Sequence, residues 1–170
     1  MKVLRRIWFV LQGDEDAFFE IGFDRQASWT AFGLVCVIGL FSGIGWILRS
    51  GRPYLTSVST LLVTVGTWWI FGYSISFIET LVGGGGVTRA ELLRLTAFSA
   101  IPLILLSVPY VGWFSFVWFW GLIYRALRSF FSIKPRHAVF LLLTGSFVAF
   151  VFWGLAFVLI NTAWLGRASP

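Results

Sequence analysis

Apolar residues in this chain gather into long runs, and the charged ones fall mostly between those runs. The opening segment differs. There Leu4, Ile7, Trp8 and Leu11 recur at helical spacing, while Lys2, Arg5 and Arg6 occupy the rest of the wheel. This pattern predicts an amphipathic helix and suits two settings equally, the headgroup plane of a membrane or the protein's own polar end. Further on, the runs predict helices at 28–48, 55–82, 89–108, 113–130 and 137–160, each near the roughly 20 residues needed to cross a hydrocarbon core. The expected organisation is an amphipathic segment over 1–27, a five-span region over 28–164 and a short tail over 165–170. The fold class is then all-α, a polytopic membrane protein with a five-helix transmembrane bundle and an N-terminal interfacial helix.

Local signals place the boundaries. Trp29 and Trp46 bracket the first run, where amphipathic rings favour the two membrane interfaces. The second run follows a turn from Arg49 to Pro53 and would reach about 42 Å, so its ends should project or the helix should tilt. Glu79 lies in its last turn and is expected to reach the headgroups, a proton or ion site being the alternative. Gly83, Gly84, Gly85 and Gly86 then read as a surface hinge; no Gly-Lys-Ser/Thr follows, which a phosphate loop would need. Thr88 and Glu91 have capping-box spacing, so a helix should begin at Arg89. From Leu95 to Tyr124 no residue is charged, and one helix over that stretch would be about 45 Å long. A hairpin turning near Pro109 to Gly112 fits better. Pro102, inside the third predicted helix, should free the carbonyl of Phe98, with Ser99 or water to satisfy it.

Two patterns speak to packing. Gly39 and Gly43 form a Gly-x-x-x-Gly pair that is expected to let another helix of the same chain approach closely, a homodimer seam being the alternative. Thr56, Thr60, Thr64, Thr67 and Ser74 fall within an arc of roughly 80° on the second helix. Their hydroxyls are expected to bond their own backbone or to link helices, with one wall of a polar cleft as the alternative.

Composition sharpens the class. Hydrophobic residues make up 58% of the 170 and charged ones 12%, against about 25% charged in a soluble domain. Cys36 and His137 are the single cysteine and histidine. An intrachain disulfide, a cysteine cage and a two-histidine metal site are therefore excluded, and no cofactor is expected. No nucleophile–base pair suggests itself, so the chain is not expected to be an enzyme. His137 should be solvated or face lipid phosphate, axial ligation of a pigment being the sharper alternative. The net charge of +6 has its simplest cause in basic cytoplasmic loops, not in nucleic-acid binding. Met1 to Leu11 is basic and interrupted, unlike a cleaved leader. With five spans, one side receives Lys2, Arg5, Arg6 and Arg25, then Arg89 and Arg94, then Arg125, Arg128, Lys134 and Arg136; the other receives Arg49, Arg52 and Arg167. The positive-inside rule then puts the N-terminus in the cytoplasm and the C-terminus outside.

The segment from Gly83 to Leu105, with its glycine run, the charged start at Arg89 to Glu91 and the Phe98-Ser99-x-x-Pro102 element, resembles the Yip family of Ypt/Rab-interacting membrane proteins. The run from Trp118 through Arg125 to Val139 is similar to bacterial members. The resemblance implies a five-helix fold with a cytoplasmic N-terminus, here in a bacterial cytoplasmic membrane. For eukaryotic members it also implies vesicle trafficking and binding of prenylated small GTPases.

The functional expectation is a non-enzymatic scaffold or adaptor whose basic set, Arg125, Arg128, Lys134 and Arg136, meets protein partners or anionic lipids. Two alternatives stand beside it. One is an accessory subunit of a larger, energy-transducing membrane complex; the other is a small-molecule or lipid transporter built on the Thr/Ser stripe.

Overall fold

A computed structural model describes residues 2–50, 53–82, 86, 88–108 and 111–165. Among the described residues the chain is entirely helical: α1 (Lys2–Gln12), α2 (Glu15–Phe23), α3 (Ala27–Ser50), α4 (Pro53–Val82), α5 (Arg89–Ser99), a 3-10 segment (Ile101–Ser107), α6 (Gly112–Ser129) and α7 (Pro135–Leu165). Three of these are long and apolar enough to cross a membrane, through Ala27–Ile44, Val58–Val82 and Pro135–Ala156.

The helices stop where their sequences make them stop. Gly13 takes φ 74° and ends α1 in a Schellman motif, its N–H on Val10 O at 2.8 Å and that of Asp14 on Phe9 O at 3.0 Å. Asp14 then caps α2, its carboxylate accepting from the N–H of Asp16 at 3.0 Å. The single amphipathic segment expected over 1–27 is thus two short helices folded against each other. Thr88 caps α5 by accepting from the N–H of Glu91 at 3.4 Å, and the helix starts at Arg89 as its cap predicts.

The helix expected over 89–108 does not form as one α-helix. It ends at Ser99, and a tighter 3-10 turn takes over with Pro102 in its first turn. Proline has no N–H to give and its ring would strike the carbonyl four residues back, so the α-helix closes beforehand and the proline sits where no donor is missed. Ser99 does not satisfy the Phe98 carbonyl; its hydroxyl is enclosed without a partner. At the turn into α7, Ser132 takes φ 54° and the N–H of Ile133 returns to Leu127 O at 3.2 Å, so the basic segment there is a closed turn.

α4 is the centre of the bundle, with α3, α5 and α7 packed on it. Glycines set the distances. A Cβ at Gly39 of α3 would lie 3.1 Å from Leu61 Cα, one at Gly72 of α4 would lie 2.6 Å from Leu93 Cδ2 of α5, and one at Gly145 of α7 would lie 2.6 Å from Ile75 Cγ1. Close backbone approach of this kind is how helices gain dispersion contact where lipid offers no hydrophobic drive. Two apolar clusters fill the interior. One joins Val10, Phe18 and Ile21 to Val35, Leu95 and Phe98; the other joins Ile75 and Leu92 to Ile123, Leu127 and Leu141. The outer surfaces of α3, α4, α6 and α7 stay apolar and exposed, as at Phe41, Leu62, Phe114 and Phe147.

Candidate functional site

The chemistry of the molecule is concentrated where α1 and α2 pack as a cap over α5, the 3-10 segment and α6. The last carbonyls of any helix lack internal partners and carry partial negative charge, so they invite donors and cations. Here the donors come from far along the chain. The Trp118 indole N–H donates to Leu11 O at 3.2 Å, and Arg125 Nη1 donates to Gly13 O at 3.2 Å and Gln12 O at 3.4 Å. Both lie on α6, so α6 receives the end of α1. The end of α2 is received by α5: Arg94 Nη2 donates to Gly22 O, and its Nη1 to Ser28 Oγ at 3.2 Å. Arg94 is buried, with Nε left without a partner. Beside it a Cβ at Gly22 would run into the Phe130 ring, which also packs on Phe19 and Phe23 with centroids 5.4 Å and 5.2 Å away.

Within the cap, Arg6 joins the two helices. Its Nε reaches Glu20 Oε1 at 2.9 Å and its Nη2 reaches Asp24 Oδ2 at 2.7 Å. The hydrogen bond from Arg6, aided by the backbone N–H of Gln26, holds the Asp24 carboxyl below the usual carboxylate range. For Arg6, burial pulls the pKa down, but its bonds to Glu20 and Asp24 outweigh that and raise it.

The residues expected to meet partners separate into two groups. Arg128, Lys134 and Arg136 are exposed. Arg125 is exposed as well, but its Nη1 is engaged by the end of α1, whose helix-terminal carbonyls lie within its reach. Two further expectations are corrected. Glu79 is only 4% exposed, with Oε2 unpartnered, so it does not extend outwards. His137 is half-buried with Nε2 enclosed, since the first turn of α7 packs on the interior cluster through Ala138.

Elsewhere, Gly39 packs on Thr64 as well as Leu61, a Cβ placed on it lying 3.3 Å from Thr64 Cβ, and Gly43 is buried. On the hydroxyl stripe, Thr64 donates to Thr60 O at 2.8 Å and Ser74 to Ile70 O at 2.7 Å, both inside α4, while Thr67 Oγ1 is buried without a partner. Phe98, Ser99 and Pro102 are all interior. Gly86 is exposed; Gly83, Gly84, Gly85, Arg52, Pro109 and Arg167 lie outside the described residues. Among the described residues no group of three or more His, Cys, Asp or Glu side chains could hold a metal ion. On the flank of α6 and α7 an open, wholly apolar crevice of about 250 Å³ is lined by Trp120, Gly121, Tyr124, Val139, Leu142 and Leu143.

The sequence reading missed Arg94, Trp118 and Phe130 as joints of the cap. For Arg94 a signal existed: a lone arginine leading into a long apolar run must find acceptors somewhere. Compared with models of known protein families, with characterised proteins and with solved structures, this chain finds no match.

Proposed function

We propose that this protein is a non-enzymatic integral membrane scaffold of the Yip type, crossing a bacterial cytoplasmic membrane five times with the capped end in the cytoplasm. Support for the count comes from helix lengths. Besides the three long apolar helices, α5 and the 3-10 segment together supply a path of about 30 Å, and α6 supplies about 27 Å. Support for the orientation comes from the basic residues gathered at the capped end. One observation carries the functional reading: while Arg125 Nη1 is bonded to the end of α1, Arg128, Lys134 and Arg136 stand exposed on a shelf beside the closed α6–α7 turn. A shelf of cations on an ordered surface attracts acidic partners by charge, and such attraction is screened by salt.

The test is to replace Arg128, Lys134 and Arg136 together by Gln and isolate the protein from its native membrane in mild detergent. Partners should be lost from the triple variant, and high salt should release them from the parent. Arg125 is left in place because removing it would disturb α1.

The apolar crevice at Gly121 favours a second reading, an accessory subunit of a larger membrane complex. A methyl group at Gly121 would meet nothing within 4 Å, so the crevice has room for a neighbouring helix. Partners that withstand high salt yet are lost on Gly121→Trp would support it over the scaffold.

A further inference from the structure

α1 carries an apolar stripe wider than the cap uses. Val10 is fully buried and Ile7 and Leu11 pack beside it, which accounts for one edge of the stripe. The other edge is bare: Leu4 is 74% exposed and Trp8, one turn on, 61%. Lys2 and Arg5 are exposed on the flank of that edge, and the Arg5 guanidinium is no nearer than 4.0 Å to Glu20. An exposed leucine–tryptophan pair is a poor surface for water. A tryptophan beside cations is instead the composition of a helix seated at an anionic bilayer surface.

The fold also says which surface. Trp118, which bonds Leu11 O at the end of α1, stands on one exposed face of α6 with Phe114 and Val117, at i, i+3 and i+4 spacing. The C-terminal end of α1, one turn beyond the bare Trp8, is therefore tied to an apolar face that the spanning reading gives to lipid. We infer that α1 is an in-plane anchor on the anionic leaflet of the protein's own membrane, with Leu4 and Trp8 among the acyl chains and Lys2 and Arg5 at the lipid phosphates. The inference rests on the membrane-spanning reading above and names anionic phospholipid as the ligand of the cap. Seated there, α1 is fixed both by lipid and by Trp118 and Arg125, so the basic shelf is held at a set height over the headgroups.

The experiment uses the full chain with Cys36→Ser and one environment-sensitive label at a time, on Leu4→Cys, Glu15→Cys or Phe147→Cys. Each is reconstituted into vesicles of phosphatidylcholine alone or of phosphatidylcholine mixed with anionic phosphatidylglycerol. Aqueous iodide and lipid-borne quenchers report depth. The Phe147 label should be lipid-quenched in both vesicles; if it is not, the spanning reading fails. With Phe147 in lipid, the Leu4 label should be shielded from iodide in the anionic vesicles while the Glu15 label is not. Because each basic residue near an anionic surface changes partitioning roughly fivefold, Lys2→Gln with Arg5→Gln should lower the ratio of inserted to free label about 25-fold. A Leu4 label as open to iodide as Glu15, or one indifferent to phosphatidylglycerol, would overturn the inference and leave the spanning reading standing.

Discussion

The cap end and the α4-centred bundle are held together by opposite means. In the cap, direction decides: Arg94, Arg125 and Trp118 each aim a donor at a helix-terminal carbonyl, and Arg6 bridges two carboxylates. In the bundle, shape decides. Gly39, Gly72 and Gly145 leave room for Leu61, Leu93 and Ile75 of the facing helices, while the hydroxyls of Thr64 and Ser74 are spent on their own helix. The difference follows from the solvent each region suits. Where water competes, a buried charge must be met by matched acceptors; where lipid surrounds, close packing supplies the contact and polar groups are best satisfied locally. Each region should therefore fail to its own kind of substitution and survive the other's.

The largest effect is expected at Arg94. Changing Arg94→Met keeps the length and the apolar stem but strands the Gly22 carbonyl and the Ser28 hydroxyl. Losing hydrogen bonds from a charged donor in a buried setting costs about 3 kcal/mol. The cap should come loose, seen as protease cleavage near Gly13 in detergent, while the helical content of the spans stays at the parent value. Spans that melt together with the cap would show that the two regions are one cooperative unit.

The reverse experiment is smaller. Gly145→Leu must push Ile75 and Phe71 aside, since even a methyl group there falls 2.6 Å from Ile75 Cγ1. Overpacking of this kind costs about 2 kcal/mol and should lower the melting temperature of the bundle. Gly154→Leu on the same helix is the control. A Cβ at Gly154 meets nothing within 4 Å, and its variant should melt with the parent. Equal loss in both would mean that α7 does not bear on α4 through Gly145.

The same division explains what the sequence made legible. Apolar runs, tryptophan boundaries, the Thr88 cap and the glycine at position 39 act within one helix or through a repeating spacing, so they stand out along the chain. The ends found for α3, α4, α6 and α7 lie within a few residues of those runs. The joints of the cap do not repeat. Trp118 and Leu11 are 107 residues apart, and Arg94 and Gly22 are 72 apart, with a backbone carbonyl as acceptor in each pair. A carbonyl leaves no mark in a sequence, so Arg125 looked like one more surface cation when it was a structural one. Glu79 and His137 misled for a related reason. Their place near a run's end suggested an open setting, and only the packing of the ends of α4 and α7 encloses them.

The smallest effect concerns the ion pairs that close the cap, and its sign follows from Asp24. The hydrogen bond from Arg6 depresses the Asp24 pKa in the folded chain. Such a group contributes its full stabilisation above the ordinary aspartate value of about 3.9 and loses it as pH falls through the folded value. Arg6 moves the other way, raised by the same bonds, and stays charged throughout. Acidification below about pH 4 should therefore weaken the hold of α2 on α1 from the carboxylate side alone. The exposure of these groups keeps the change modest, because partly solvated pairs are screened. A spin label on Gln12→Cys in the Cys36→Ser background should gain mobility across that acid range. With Asp24→Asn added, the label should be somewhat freer at neutral pH and the acid step should shrink. An acid step of unchanged size in the Asp24→Asn protein would assign the response to another carboxylate, with Glu20, 2.9 Å from Arg6, the next to replace.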